Sequence, residues 1–230
     1  MSANTLHFRT HRGASVGDRA LSLRRAVIAG WTQRDAVARE KHIAELVALG
    51  VGRPASTPIY YRVSAARLTT ADEIEAVGEN SSGEVEFVLV RSDDDLWIGV
   101  GSDHTDRTVE AYNVTVSKQM CDKPIAPELW SFEDVRDHWD SLTLRSWIEE
   151  DGEPRLYQEG SVASILSPDR IISGITANGH LADGTVLFCG TLPAKGGIRP
   201  SRKFTFELFD PVRNARISHT YTVDTLQSAG

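Results

Sequence analysis

Two glutamates stand two residues apart in the stretch "SGEVEFVLV", residues 82–90. The run of β-branched and large apolar residues in its second half, with no helical period, predicts a strand. Side chains two apart on a strand share a face, so Glu84 and Glu86 set two carboxylates side by side, where like charges repel unless a cation lies between them. Downstream, "WIGVGSDHTDR" carries an apolar strand into Gly101 and then delivers Asp103. The short polar turn "RSDDD" joins strands 84–90 and 96–101 as an antiparallel hairpin, which returns Asp103 to the level of the glutamates. Three carboxylates with no thiolate and one imidazole, His104, nearby form an oxygen-rich set. It suits Mg²⁺ or Mn²⁺, with Ca²⁺ as a further option, rather than zinc. The plainer alternative is a solvated strand face, which spacing by itself favours.

Three further groups could take part in chemistry. His42 and Glu45 are three apart on a predicted helix and can touch, and a histidine oriented by a carboxylate is a general base near neutral pH; such pairs also occur on surface helices that do nothing. In "LADGTVLFCGTLPAKGGIRPS" a strand over 186–189 ends in Gly190 and Thr191 and a Gly/Pro-rich loop. Strand ends of this kind present backbone N–H groups and a hydroxyl to an oxyanion or carboxylate. The spacing matches neither a phosphate loop nor a dinucleotide fingerprint, so no nucleotide site is read there. Lys118 and Gln119, at the end of a predicted strand over 109–117, could pair with an acidic substrate.

The elements that must position these groups follow from pattern. Residues 34–49 have apolar positions at 37, 43, 46, 47 and 49 with charges between, a helix with Thr32 as its N-cap and Gly50 as its C-terminal stop. The segment before it reads as extended. From residue 82 onward short strands are expected at 84–90, 96–101, 109–117, 142–148, 155–158, 170–177, 186–189, 203–209 and 216–223, with short helices near 131–139 and 161–166. The class is therefore α+β and β-rich. A 230-residue chain with 40% hydrophobic content and no internal repeat is read as one domain, residues 1–33 forming an N-terminal β segment and 34–230 the remainder. Net charge −7 argues against nucleic acid or anionic lipid as partner. The absence of an apolar run of membrane-spanning or signal length, and two cysteines, Cys121 and Cys189, outside any CxxC unit, point to a cytoplasmic protein with reduced thiols.

In their order along the chain these pieces resemble the fumarylacetoacetate hydrolase family, in its catalytic domain, and a bacterial branch of it. That family carries a His-x-x-Glu dyad, matched by His42 and Glu45 in "HIAEL", and a Glu-x-Glu strand, matched by Glu84 and Glu86. Its third metal-binding Asp and following Ser and Arg match Asp103, Thr105 and Arg107 in "SDHTDR", and its active-site lysine matches Lys118 in "VSKQMCDKPIAP". Its closing Thr-Gly-Thr-Pro loop is similar to "CGTLP", where Thr191 matches the second threonine and Cys189 departs from the first. The stretch from Glu86 to Asp103 is shorter than the family's usual insertion, which implies a reshaped pocket wall.

The resemblance implies a mixed β-sandwich or β-roll with a few short helices, a homodimer, and a small 2-oxo acid as substrate. It implies a divalent cation held by Glu84, Glu86 and Asp103, with His42, Glu45 and Lys118 catalytic and Arg62, Arg107, Gln119, Gly190 and Thr191 contacting substrate. The expected reaction is hydrolysis of a carbon–carbon bond in an acylpyruvate-type substrate through a metal-stabilised enolate. A lyase or isomerase on the same scaffold (a decarboxylase, hydratase or sugar-acid dehydratase) stays open, as does a catalytically silent binding protein, because fold alone does not choose.

Overall fold

The computed structural model describes residues 3–48, 53–176 and 178–229. An eight-stranded mixed sheet runs in the order β2 (Ser15–Leu23), β1 (Asn4–Arg12), β12 (Glu128–Ser131), β9 (Asp95–Ser102), β8 (Val85–Ser92), β15 (Thr185–Thr191), β3 (Arg25–Gly30), β4 (Ile59–Val63). A five-stranded sheet runs β14 (Glu153–Ser161), β13 (Thr143–Glu150), β16 (Lys203–Asp210), β17 (Ala215–Leu226), β6 (Glu73–Val77). Two short pairs, β7 (Ser81–Ser82) with β10 (Thr105–Asp106) and β5 (Leu68–Thr69) with β11 (Lys123–Pro124), complete the strands. The helices are α1 (Ala36–Ala48), α2 (Arg107–Glu110), α3 (Val114–Met120) and α4 (Pro168–Ile175), with 3-10 turns at Phe132–Asp134, Arg136–Ser141 and Val162–Ser164 where longer helices near 131–139 and 161–166 were expected. The fold is α+β and β-rich, as the pattern predicts. No helix among the described residues is long and apolar enough to cross a membrane.

The predicted hairpin of β8 and β9 is the centre of the large sheet. Asp93 and Asp94 both take positive φ (50° and 65°) in its two-residue turn, the geometry that matches the twist of the flanking strands. Both faces of β8 are buried. Val85, Phe87 and Leu89 join a core shared with Leu144 of β13, Phe204 and Phe206 of β16 and Tyr221 of β17, while Val88 and Val90 join a second cluster with Leu21, Leu23, Ile28, Val63 and Phe188. Strands β2 and β4 lie near opposite margins of the sheet, and both reach this second cluster. The sheet therefore curls around it. Glu86 shares the parity of Val88 and Val90, so its carboxylate sits at one end of that apolar lining.

Three expectations are corrected. Residues 109–117 form no strand, because two capping side chains outweigh the β-branched composition: Asp106 accepts from the Val109 N–H at 2.8 Å and starts α2, and Asn113 accepts from the Val116 N–H at 3.1 Å and starts α3. Residues 170–177 likewise include a helix, α4, which follows Ser167 with Pro168 in its first turn, the position that tolerates proline. Thr32 is not the cap of α1. Asp35 accepts from the N–H groups of Val37 and Ala38 (2.9 and 3.1 Å), while Thr32 is buried; Gly50 lies outside the described residues.

Candidate functional site

The register of the hairpin places the acids. Glu86 pairs with Gly101 and Val85 with Ser102, so Asp103 follows one step beyond and its N–H donates to the Glu84 carbonyl at 3.0 Å. One carboxylate oxygen each from Glu84, Glu86 and Asp103 fall within 4.8 Å of one another. Asp103 is wholly buried, Glu86 nearly so, and Glu84 is half-buried. On the other side of β8, β15 bulges between Phe188 and Thr191, and this bulge aims the Gly190 N–H at Glu86 Oε2, 2.7 Å away. Gly190 has φ +103°, and a Cβ there would overlap the hydroxyl of Thr32, so no other residue fits this turn unchanged.

Three cations meet the acids. Lys118 of α3 donates a short hydrogen bond to Asp103 Oδ2, and its Nζ stands 3.9 Å from Glu84 Oε2. Lys123, fully buried on β11, lies 3.3 Å from Asp103 Oδ1 and also donates to the His104 carbonyl. Arg107, at the start of α2, lies 3.3 Å from Glu84 Oε1 and 2.7 Å from Glu110 Oε2. Glu84 and Asp103 are thus each flanked by two cations. Among the described residues Glu86 has no ion pair at all, only the Gly190 N–H.

The electrostatics follow from these distances. Burial raises the cost of a charge on Glu86, and the carboxylates of Asp103 and Glu84 raise it again, so its carboxyl is held well above the ordinary range. Burial also works against a charge on Asp103, but Lys118 and Lys123 outweigh it and hold this group below its usual value. For Lys118, too, burial opposes the charge, yet Asp103, Glu84 and Glu110 keep the ammonium protonated beyond the ordinary lysine range. His104 points away from the acids: its ring nitrogens bond Tyr221 Oη and Ser81 Oγ, both at 2.8 Å, and burial with Lys123 and Arg107 nearby lowers its pKa to about 3. It is a neutral strut. Tyr221 Oη also meets Ser102 Oγ at 2.9 Å, which ties β17 of the second sheet to the residue before Asp103.

A cavity of about 840 Å³ opens on this cluster, and Glu84, Glu86, Asp103, Arg107, Lys118, Gly190 and Thr191 all line it, with Tyr61, Thr32 and Trp31 in its wall. Two other expected contacts, Arg62 and Gln119, do not line this cavity. Arg62 is exposed beside Arg25 and outside the cavity, because the strand alternation that turns Tyr61 inward turns its neighbour out. Gln119 accepts from the Ser64 N–H at 2.8 Å and fastens α3 to the turn after β4. The Thr191 hydroxyl donates to the Val85 carbonyl and accepts from Gln158, both at 2.8 Å, so it braces the strand bulge. His42 and Glu45 lie on α1, and their side chains lie outside the described residues. Lys123 is the member that sequence reasoning missed. In "CDKP" a lysine before proline reads as an exposed turn, and only the pairing of β11 with β5 buries it.

An oxygen-only donor set of three acids, one of them without a cation, fits a hard divalent ion and does not fit zinc. Solved structures share this fold. Cg1458 aligns at 16% identity over 92% of this chain and 80% of that chain, with TM-score 0.58. A 2-keto-3-deoxy-D-arabinonate dehydratase complexed with magnesium and 2,5-dioxopentanoate aligns at 17% identity over 92% of this chain and 77% of that chain, with TM-score 0.60. The apo form of that dehydratase aligns at 16% identity, 92% and 77% coverage and TM-score 0.61. Among curated proteins none matches. A family model does match, over residues 29–221, and the chain therefore belongs to that family, DUF2848, described as a protein of unknown function.

Proposed function

We propose that this protein is a divalent-metal-dependent enzyme acting on a small 2-oxo acid, with Glu84, Glu86 and Asp103 as the metal ligands. The observation that carries the reading is the pairing around the three acids: Glu84 and Asp103 have cations of the protein against them, whereas buried Glu86 has only the Gly190 N–H, so a charge on it at the cavity wall calls for a further cation. The dehydratase of the same fold that is complexed with magnesium and 2,5-dioxopentanoate supports the choice of cation and substrate class. A bound divalent ion would supply positive charge opposite the negative charge that builds on the substrate's 2-oxo oxygen.

The chain's own residues would do the rest. Arg107, which lines the cavity and already pairs with Glu84 and Glu110, would also hold the substrate carboxylate. Lys118 stays protonated, so its part is to donate: to hold Asp103 in place and to give a hydrogen bond or proton to a departing oxygen. This favours a lyase of the kind the dehydratase neighbour's name describes: the proton on the carbon beside the 2-oxo group would pass to water in the cavity, the C–O bond one carbon further on would break, and the departing oxygen would leave as water beside Lys118. Carbon–carbon hydrolysis is the second reading, and the His-x-x-Glu spacing on α1 favours it: Ala38, in the first turn of α1, lines a cavity that Glu84 also lines, and His42 with Glu45 would activate water one turn further on.

The test is thermal unfolding of wild type and of Glu84→Gln/Glu86→Gln with Mg²⁺, Mn²⁺ or Ca²⁺, alone and with oxalate. A ligand that binds only the folded state raises the melting temperature with occupancy. Stabilisation of wild type alone, increased by oxalate, is the expected result; equal behaviour of the two proteins would remove the metal site. Product analysis then separates the readings, since hydrolysis of an acylpyruvate releases pyruvate and a second acid, while a dehydratase releases water and keeps the whole carbon chain in one dehydrated oxo acid.

A further inference from the structure

A second cavity, of about 820 Å³, adjoins the first, and Gln33, Glu84, Thr191 and Ile198 line both. Glu84 thus stands where the two chambers meet. The far walls of the second chamber are Tyr157, Ala163, Leu192, Pro193, Ala194 and Ala38. Apart from Gln33 and Glu84, where it meets the first chamber, its polar side chains are largely committed to the protein. Arg34 gives both guanidinium NH₂ groups to Asp140 (2.8 Å each) and its Nε–H to the Ile165 carbonyl (2.9 Å). Gln158 donates to Leu192 O and Thr191 Oγ1, and accepts from the Val85 N–H and Ser146 Oγ. Tyr157 Oη accepts from the Arg199 N–H at 3.2 Å, Ser164 Oγ donates to Ser161 O at 2.8 Å, and Asp35 caps α1. A hydroxylated chain entering this chamber would surrender its hydration to groups whose hydrogen bonds are already made. An apolar chain surrenders nothing and gains burial.

We infer that the second chamber is a specificity pocket for an apolar tail, so that the substrate is a 2-oxo acid whose distal part is alkyl, aryl or acyl rather than a polyhydroxylated sugar acid. This rests on the reading that the first chamber holds the 2-oxo carboxylate end. The tail passes Glu84 and Thr191 from one chamber to the next, and the loop over 193–199 forms its outer wall, pinned by the Arg199 guanidinium, whose Cζ lies 5.3 Å from the centre of the Tyr157 ring. The fold is shared with a sugar-acid dehydratase, but the wall chemistry selects a different tail.

The experiment measures affinity for 2-oxo acids in saturating Mg²⁺ by calorimetry: pyruvate, 2-oxobutanoate, 2-oxohexanoate, 2-oxooctanoate and a five-carbon 2-oxo-3-deoxy sugar acid, with oxalate as a tailless control. Wild type is compared with Ala163→Phe, which fills the chamber, and Ala163→Asp, which charges it. Each methylene that enters is expected to tighten binding about threefold to fourfold. Both variants should erase that gain while keeping oxalate affinity within about twofold, and the retained oxalate binding shows that they have folded. Affinity that is flat with chain length in wild type, or tighter for the sugar acid than for 2-oxohexanoate, overturns the pocket assignment while leaving the metal site standing. Failure of oxalate itself to bind wild type with Mg²⁺ overturns the metal-site reading, and the pocket assignment falls with it.

Discussion

Asp103 is held by two lysines with different exposure to the cavity, and substitution should separate their parts. Lys118 lines the cavity and Lys123 does not. Lys118→Met is expected to lower kcat on any turned-over 2-oxo acid by about 10²–10³, the scale for losing one well-placed donor, with a smaller change in KM. Lys123→Met breaks a fully buried ion pair and leaves the His104 carbonyl without its partner, so its expected effect is on stability, a loss of about 3–5 kcal/mol in urea unfolding. A large kcat defect in Lys123→Met with normal stability would reverse these assignments. Both lysines occur in one short segment, yet only one was recognisable in the sequence. Lys118 matched a motif, whereas nothing local distinguishes Lys123 from a surface lysine, because its burial is decided by a pairing with residues more than fifty positions away.

At the scale of elements, the hairpin that carries the acids was legible and the helices that carry the cations were not. A continuous apolar run broken by "SDDD" specifies β8 and β9 with little ambiguity. The segment "TVEAYNVTVSKQM" has strand-like composition, and it folds as α2 and α3 because two side chains satisfy the first free N–H groups of each helix. Composition averages over a window, whereas a cap acts at one residue. The bulge at Gly190 was legible only as a glycine after a strand; that it turns a backbone N–H onto Glu86 depends on three strands at once. Gly190→Ala and Gly197→Ala provide the test, since both glycines have positive φ but only the first has a neighbour against a new Cβ. Gly197→Ala should cost about 1–2 kcal/mol from backbone strain alone. Gly190→Ala should cost clearly more, and should also abolish the Mg²⁺-dependent rise in melting temperature, because the displaced N–H no longer holds Glu86.

Across the whole molecule, the site is a joint product of both sheets. Ser102 and His104 flank the buried Asp103, and both are bonded to Tyr221 of β17. Tyr221→Phe keeps the ring packing and deletes one hydroxyl that serves two buried partners, so an expected loss of about 1–3 kcal/mol should appear together with weaker Mg²⁺ stabilisation. Unchanged metal response in that variant would show that the second sheet supports the fold without tuning the acids.

Four parallel pairings among the described residues connect distant parts of the chain: β1 with β12, β5 with β11, β3 with β15 and β6 with β17, which bring Arg9 to Glu128, Leu68 to Lys123, Arg25 to Thr185 and Glu73 to Thr222. Each closes a long loop before any ladder bond rewards it, a topology of high contact order for which refolding on the order of milliseconds to seconds is the rule. The acids and cations from Glu84 to Lys123 come from one local stretch, but the Gly190 N–H and the Tyr221 hydroxyl arrive on β15 and β17. In stopped-flow refolding followed by tryptophan fluorescence, the Mg²⁺ response expected of the proposed site should therefore emerge in the last phase, when the late strands dock, and not with the hairpin that bears the three acids.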